Sequence, residues 1–248
     1  MIHHIFKSHI VVGLGEVGES IMQVLKLDPL NRVWGVDKKD SFDCTLNNAD
    51  AMHICFPYHK KFVSNLKELF DRYQPNCIII HSSVPLGTCD ELGCVHSPVL
   101  GQHPNLLRSL TIFTKYFGGI QAQEASTIFA RCNIPTAIVP SARITEAMKL
   151  WCTTQFGFYI ILEKEIYKWC KENNIPFDYV YNKSNSNYND GYRQLGNDNY
   201  CRPTLEEMPG PIGGHCVVPN LELLGDNRIT NFILQINSEL EENNATKH

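Results

Sequence analysis

Long apolar runs are missing from this chain of 248 residues; none approaches the roughly 20 residues that a membrane-spanning helix needs. Excess positive charge is missing too. Lys and Arg number 22 against 26 Asp and Glu, a formal net charge of -4, which leaves no basic footprint for nucleic acid. The opening MIHHIFKSHIVVGLG lacks the basic, apolar, small-residue layout of a secretory signal and runs straight into a strand. Ten cysteines are present, but the closest pair, Cys89 and Cys94 in CDELGC, has no matching second pair. A chain this large needs no disulfide staples, so the thiols are read as reduced and the protein as cytoplasmic. No metal site is expected, and His3 with His4 is too little to make one. Nor does any internal repeat divide the chain.

What is present is alternation. In the first half short β-branched runs alternate with amphipathic segments, as a parallel α/β sheet requires. Strands are expected at HIVVGL, RVWGVD, AMHICF, CIIIHS and GCVHSP, and helices from Glu16, near Tyr58 and near Asn105. A strand at YFGG, a short helix at AQEASTIFARC and a strand at TAIVP follow. From Ser141 to about Asn173 the chain has no proline and its apolar residues recur at helical spacing. The expected fold is α/β: a Rossmann-type doubly wound parallel sheet over 1–140, then a smaller all-helical domain with a long central helix over 141–248. A helix that long and apolar on more than one side predicts a homodimer. An Asn/Tyr-rich loop, YNKSNSNYNDGYRQLGNDNYCRP, is expected after it, and a last amphipathic helix around RITNFILQINSELEEN.

HIVVGLGEVGESIMQVL places Gly13, Gly15 and Gly18 as G-x-G-x-x-G after a strand, with Glu16 and Val17 opening a helix. One glycine makes the tight turn, one admits a pyrophosphate to the backbone, and one lets helix pack on strand. Free N–H groups at the helix start suit the phosphates. RVWGVD ends on Asp37, 19 residues past Gly18, where a carboxylate meets the ribose hydroxyls and repels a 2′-phosphate. NAD is therefore expected over NADP, with Lys38 and Lys39 softening the preference. The alternative is a structural turn without a ligand.

Near the other end, PGPIGGHCVVPN sets two glycines and His215 before Cys216. Cys216 is either a nucleophile in an open turn or an inert thiol of the kind that usually packs as a small hydrophobe. Tyr188, Tyr192, Arg193 and Arg202 interleave aromatic and cationic groups among asparagines. That mixture suits an anionic or sugar-like substrate, because a guanidinium binds carboxylate or phosphate through two parallel hydrogen bonds.

Four segments in this order, the glycine turn, HSSVPLGT (His81 to Thr88), ITEAMKL leading the long helix, and PGPIGGHC, resemble the UDP-glucose/GDP-mannose dehydrogenases. Members of that family oxidise a sugar-nucleotide alcohol to a carboxylate with two NAD. The resemblance covers most of the chain and implies that Phe56, Pro57 and Ser83 lie against the nicotinamide half of NAD. It gives Cys216 the role of adding to an aldehyde intermediate, and Lys149 that of acting near the reacting oxygen. A salt bridge from Lys149 to Glu146 on a solvated helix face is the other reading of that lysine.

Three positions depart from the family. Val99 stands where it has glutamate, Thr153 where it has asparagine, and Asn220 where it has aspartate. An asparagine can orient a water but cannot serve as its base, so hydrolysis of a thioester is in doubt. The family's C-terminal nucleotide-binding domain is expected to be absent, because the chain stops soon after the cysteine motif. GQHPNL resembles a short motif of prephenate-type dehydrogenases and makes His103 a further candidate. Two other functions stay open: a two-electron β-hydroxyacid-type dehydrogenase whose pocket Cys216 merely lines, and a non-catalytic NAD-binding module.

Overall fold

The computed structural model describes residues 7–37, 46–102 and 104–245. The chain divides into two compact units, Met1–Lys149 and Leu150–His248.

In the first unit seven strands form one sheet: β1 (Lys7–Val12), β2 (Asn31–Val36), β3 (Ala51–Ile54), β4 (Ile78–Ile80), β5 (Val95–His96), β6 (Lys115–Gly118) and β7 (Thr136–Val139). Their order is β2-β1-β3-β4-β5-β6-β7. Neighbours run parallel except β5 and β6, which meet antiparallel through His96 and Gly118. The helices are α1 (Glu16–Leu25), α2 (Phe62–Tyr73), α3 (Thr88–Leu92), α4 (Leu106–Ile112), α5 (Ala122–Arg131) and the start of α6 (Ala142–Glu172). Successive strand side chains point to opposite faces. Val11, Ala51, Ile79, Val95 and Phe117 therefore pack with Ile21, Leu25, Leu106 and Phe129 of α1, α4 and α5. Ile10, Val12, Met52, Ile54 and Ile80 pack on the other face with Phe62, Leu66 and Tyr73 of α2. Burial on both faces is why the central strands read as continuous apolar runs rather than alternating ones.

The helix expected near Tyr58 begins at Phe62, after a turn in which the Lys61 N–H donates to His59 Nδ1 at 3.2 Å. The short helix α3 has no periodic pattern in its five residues and is not foreseen by the sequence reading.

The second unit is helical. The rest of α6 is followed by a π-helical turn (Tyr179–Lys183), α7 (Ser184–Gln194), a 3₁₀ turn (Asp198–Tyr200), α8 (Val217–Leu224) and α9 (Arg228–Ala245). Ile161, Ile212, Val217, Leu221, Ile233 and Ile236 form its core. The Asn/Tyr-rich stretch expected to be a loop is largely helix. Its asparagines are poor helix formers, but the inward side of α7 puts them to work. Asn189 is buried, accepts from the Arg202 N–H at 2.8 Å and donates to the Arg202 carbonyl at 2.9 Å. Tyr192 lies against both Tyr188 and Tyr200, with ring centroids 4.7 and 5.0 Å away. Tertiary satisfaction of polar groups has overridden propensity. Among the described residues no helix is long and apolar enough to cross a membrane.

Candidate active site

The sheet order reverses between β1 and β3, and in open α/β sheets ligands bind beyond the carboxyl ends of the strands at such a switch. The glycine turn leaves β1 at that point. Gly13 has φ +90°, and a Cβ there would come within 2.8 Å of the Phe56 backbone nitrogen. A Cβ on Gly18 would collide with the Gly13 carbonyl oxygen. Gly15 differs from both. It is the exposed N-cap of α1, and a Cβ would meet nothing within 4 Å. Two glycines thus close the turn on itself and the third faces open space before the α1 N-terminus, a cradle that fits a pyrophosphate. Glu16 is exposed and Val17 half-buried in the first turn of α1. Asp37, just past β2, accepts from the Leu14 N–H at 2.7 Å, which holds its carboxylate at the turn. These residues fit the dinucleotide that the sequence reading expects. Lys38, Lys39 and His103 lie outside the described residues.

Phe56 and Pro57 follow β3, and Ser83 follows β4. Ser82 Oγ donates to the Phe56 carbonyl at 2.6 Å, tying the two loops together. The Phe56 ring rests on Phe62 with centroids 5.0 Å apart. Ser83 is half-buried. Beneath them burial pushes the Cys55 thiol up to about 12, so it stays protonated.

Glu146 corrects the sequence reading of Lys149. A solvated pair was one alternative, yet Glu146 is buried and its carboxylate accepts from the Gly87 N–H at 2.5 Å and the Cys89 N–H at 2.8 Å. It caps the first turn of α3, whose preceding Gly87 has φ +94°, and so fixes the SVPLGT turn onto α6. Lys149 is half-buried and donates to the Val99 carbonyl at 2.9 Å. Val99 itself belongs to the apolar core. Val99, which stands where the resembled family has glutamate, thus meets the lysine through its main-chain carbonyl.

In the second unit Cys216 is the exposed N-cap of α8, not simply part of a Gly/Pro turn. Its carbonyl accepts from the Asn220 N–H at 3.4 Å. A thiolate there would face the free N–H groups of a helix start. Cβ atoms on Gly213 or Gly214 would meet nothing within 4 Å, so the approach to the cysteine is open. His215 is exposed. Asn220 and Thr153 come together: both are buried, and Asn220 Nδ2 donates to Thr153 Oγ1 at 3.0 Å. The two departures from the family pattern are each other's partner. Arg202 lies with its guanidinium carbon 3.5 Å from the Tyr188 ring centre, and Arg193 pairs with Asp190 at 3.0 Å.

Sequence reasoning missed the buried polar groups of the sheet. His9, His53, His81 and His96 are all buried, as is Lys115, which burial pushes down to about 7. The signal was available as lone histidines inside apolar strand runs. Two clefts of about 410 and 400 Å³ open at the amino ends of the strands, one lined by Lys7, Asn31, Asp50 and Arg131, the other by Lys67, Phe70 and Glu91. Both lie at the opposite ends of the strands from the glycine turn.

UDP-D-ManNAc dehydrogenase from Pyrococcus horikoshii superposes with a TM-score of 0.76 at 14% identity, over 94% of this chain and 68% of that one. UDP-N-acetyl-mannosamine dehydrogenase Cap5O from Staphylococcus aureus does so with 0.67 at 19%, over 94% and 68%. The fold is that of the UDP-sugar dehydrogenases. It is shared with 3-hydroxyisobutyrate dehydrogenase from Mycobacterium tuberculosis, at a TM-score of 0.70 and 13% identity over 94% and 93% of the two chains. No sequence-family model matches the chain, and no curated protein does.

Proposed function

We propose that the protein is an NAD-dependent dehydrogenase that oxidises an alcohol group of a sugar-like or otherwise anionic small molecule. The observation that carries this reading is the open cradle at Gly15, with Asp37 held beside it at the switch point of the sheet. The dehydrogenases that share the fold support the reaction class. NAD would be held by Gly13, Gly15 and Gly18 through main-chain N–H groups and by Asp37 through the ribose, and it would take the hydride from the substrate carbon. Lys149 would stabilise the alkoxide or accept its proton. Cys216 would add through its sulfur to the carbonyl carbon of an aldehyde product, its proton passing to the oxygen as the C–S bond forms. Arg202 and Arg193 are proposed to bind the anionic part of the substrate, and the exposed apolar residues of α6 to pack in a homodimer.

The hydrogen-bonded Thr153–Asn220 pair favours a second reading at the same site, a two-electron dehydrogenase that stops before hydrolysis. Neither side chain can take a proton from water, and Asn220 Nδ2 donates to Thr153 Oγ1. One experiment separates the readings: purified protein with NAD is given a panel of sugars, sugar nucleotides and hydroxyacids, and NADH and products are quantified. Two NADH per acid formed supports four-electron oxidation, and one NADH per carbonyl product supports two-electron oxidation. No NADH with any compound, together with no NAD binding in a titration, removes the proposal.

A further inference from the structure

Three buried histidines run diagonally through the sheet. His9 of β1, His53 of β3 and His81 just past β4 are 0%, 0% and 2% exposed. Each step is one strand across and two residues along, since Val11 stands beside His53 and Ile79 beside the same residue on the next strand. His9 Nδ1 lies 3.2 Å from His53 Nε2, and His53 Nδ1 lies 3.1 Å from His81 Nε2. The last two rings are nearly parallel, at 4°. At one end His9 Nε2 is 3.2 Å from Asn31 Oδ1. At the other, His81 Nδ1 is 2.8 Å from the Ser97 carbonyl oxygen.

Both ends are acceptors, and that decides the proton count. Four contacts need four N–H protons, but three neutral imidazoles carry only three. Starting at Asn31 and assigning donors in turn leaves two lone pairs facing each other at Ser97. Starting at Ser97 leaves them facing at Asn31. Turning the Asn31 amide over does not help, because its Nδ2 donates to the Leu25 carbonyl at 2.8 Å and an oxygen would then face that carbonyl. A fourth proton completes every contact, and it can sit on any of the three rings with the others relaying the polarity.

We infer that His9, His53 and His81 form a single buried proton-binding site, which takes up one proton shared along the three rings. Lys115 is its natural competitor. The lysine donates to the Ser97 carbonyl at 2.9 Å and to the Pro98 carbonyl at 3.4 Å, and no carboxylate pairs with it among the described residues. A neutral amine has two N–H groups for those two carbonyls, so Lys115 loses no hydrogen bond on deprotonation. The histidine chain gains one on protonation. Burial first, and the Lys115 charge next, push His81 well below the usual histidine range; burial, the neighbouring His9 and Lys115 do the same to His53. Other groups facing the chain are Lys7, Asp50 and Asp28 near His9, His96 of β5, Phe129 of α5, and Cys132 just past α5, whose last residue Arg131 is bound to Asp28 at 2.8 Å. The acidic pair lies at the Asn31 end and favours the proton there.

The test is ring ¹⁵N NMR of ¹⁵N-histidine-labelled protein through the range of about pH 5 to 8 in which histidines change charge. The expected result is that the three rings titrate with one common midpoint and a summed amplitude of one proton. Lys115→Met, which removes the competing cation, shifts that midpoint upward by about one pH unit, a tenfold gain in proton affinity. Asn31→Asp, which puts a carboxylate at the end of the chain, shifts it upward as well. Three unrelated midpoints, or fixed neutral tautomers that persist down to acid unfolding in both the native protein and the Lys115→Met variant, would overturn the inference.

Discussion

Replacing Gly15 with alanine separates folding from nucleotide binding. The residue has φ -76° and ψ -172°, which any amino acid adopts, and a Cβ would meet no atom within 4 Å. Restricting the unfolded chain stabilises a Gly→Ala variant by about 0.4–1 kcal/mol where the backbone permits it. Against this, alanine is a poorer N-cap than glycine, a loss of roughly 0.5–1 kcal/mol. The two effects nearly cancel, so Tm should move by less than about 3 °C for a chain of this size. Binding should respond quite differently. The added methyl stands where the main chain must meet the pyrophosphate, and displacing the phosphates from the α1 N-terminus should weaken NAD at least tenfold, about 1.4 kcal/mol. Calorimetric titration of NAD and a thermal melt read the two effects on the same sample. Gly18→Ala serves as the contrast, since its Cβ collides with the Gly13 carbonyl and should lower Tm as well. Unchanged NAD affinity in the Gly15→Ala protein would show that the cradle is not where the dinucleotide sits.

Asp37→Ala should weaken NAD and relax the preference over NADP; equal or tighter NADP binding by the native protein would remove Asp37 as the discriminator. Light scattering should give a dimer, because Trp151, Phe156 and Trp169 of α6 are 47, 49 and 52% exposed in the single chain, and Trp169→Glu should weaken it; a monomer at micromolar concentration contradicts this. Burial holds His96 at about 3, far below its usual value of 6.5. The unfolded chain therefore binds the proton first, and the contribution to stability, present above pH 6.5, is lost as the pH falls towards 3. It amounts to at most roughly 5 kcal/mol, and urea titrations of native and His96→Gln protein should show the slope of stability against pH reduced in the variant. Native Cys216 should react with iodoacetamide faster than the buried thiols; where the four-electron reading holds, Cys216→Ser should abolish acid formation while keeping some hydride transfer, and unchanged acid formation rules out the covalent step.

Most of the first unit was legible because its signals are local and redundant. A strand, a glycine turn and an amphipathic helix repeat the same message in residues 8–25, and the structure places them as read. Thr88–Leu92 was not legible. Five residues carry no helical period, and the cap that fixes them comes from Glu146, 57 residues along from its Cys89 partner. The stretch over α7 misled for a related reason. Its composition spells loop, and only the Asn189 amide meeting the Arg202 backbone shows how helix wins. The histidine chain needed strand order as well as sequence, because β1, β3 and β4 are adjacent only once β2 has moved to the edge.

The departures from the resembled family gain meaning from their partners. Val99, where a carboxylate is usual, sinks its side chain into the core and leaves its carbonyl to hold Lys149 at 2.9 Å. Thr153 and Asn220 form a neutral pair joined by a hydrogen bond inside the second unit. A lost catalytic group that left a cavity or an orphaned polar atom would mark decay. Here Val99 packs in the core and Thr153 and Asn220 are hydrogen-bonded to each other. In the proposed reaction Lys149 would serve hydride transfer and Cys216 carbonyl addition, and neither step needs a carboxylate base. Thioester hydrolysis does need a group that takes a proton from water, and Val99 and Asn220 stand where the resembled family has glutamate and aspartate. For the proposed dehydrogenase, the neutral Thr153–Asn220 pair argues for chemistry that ends at the carbonyl.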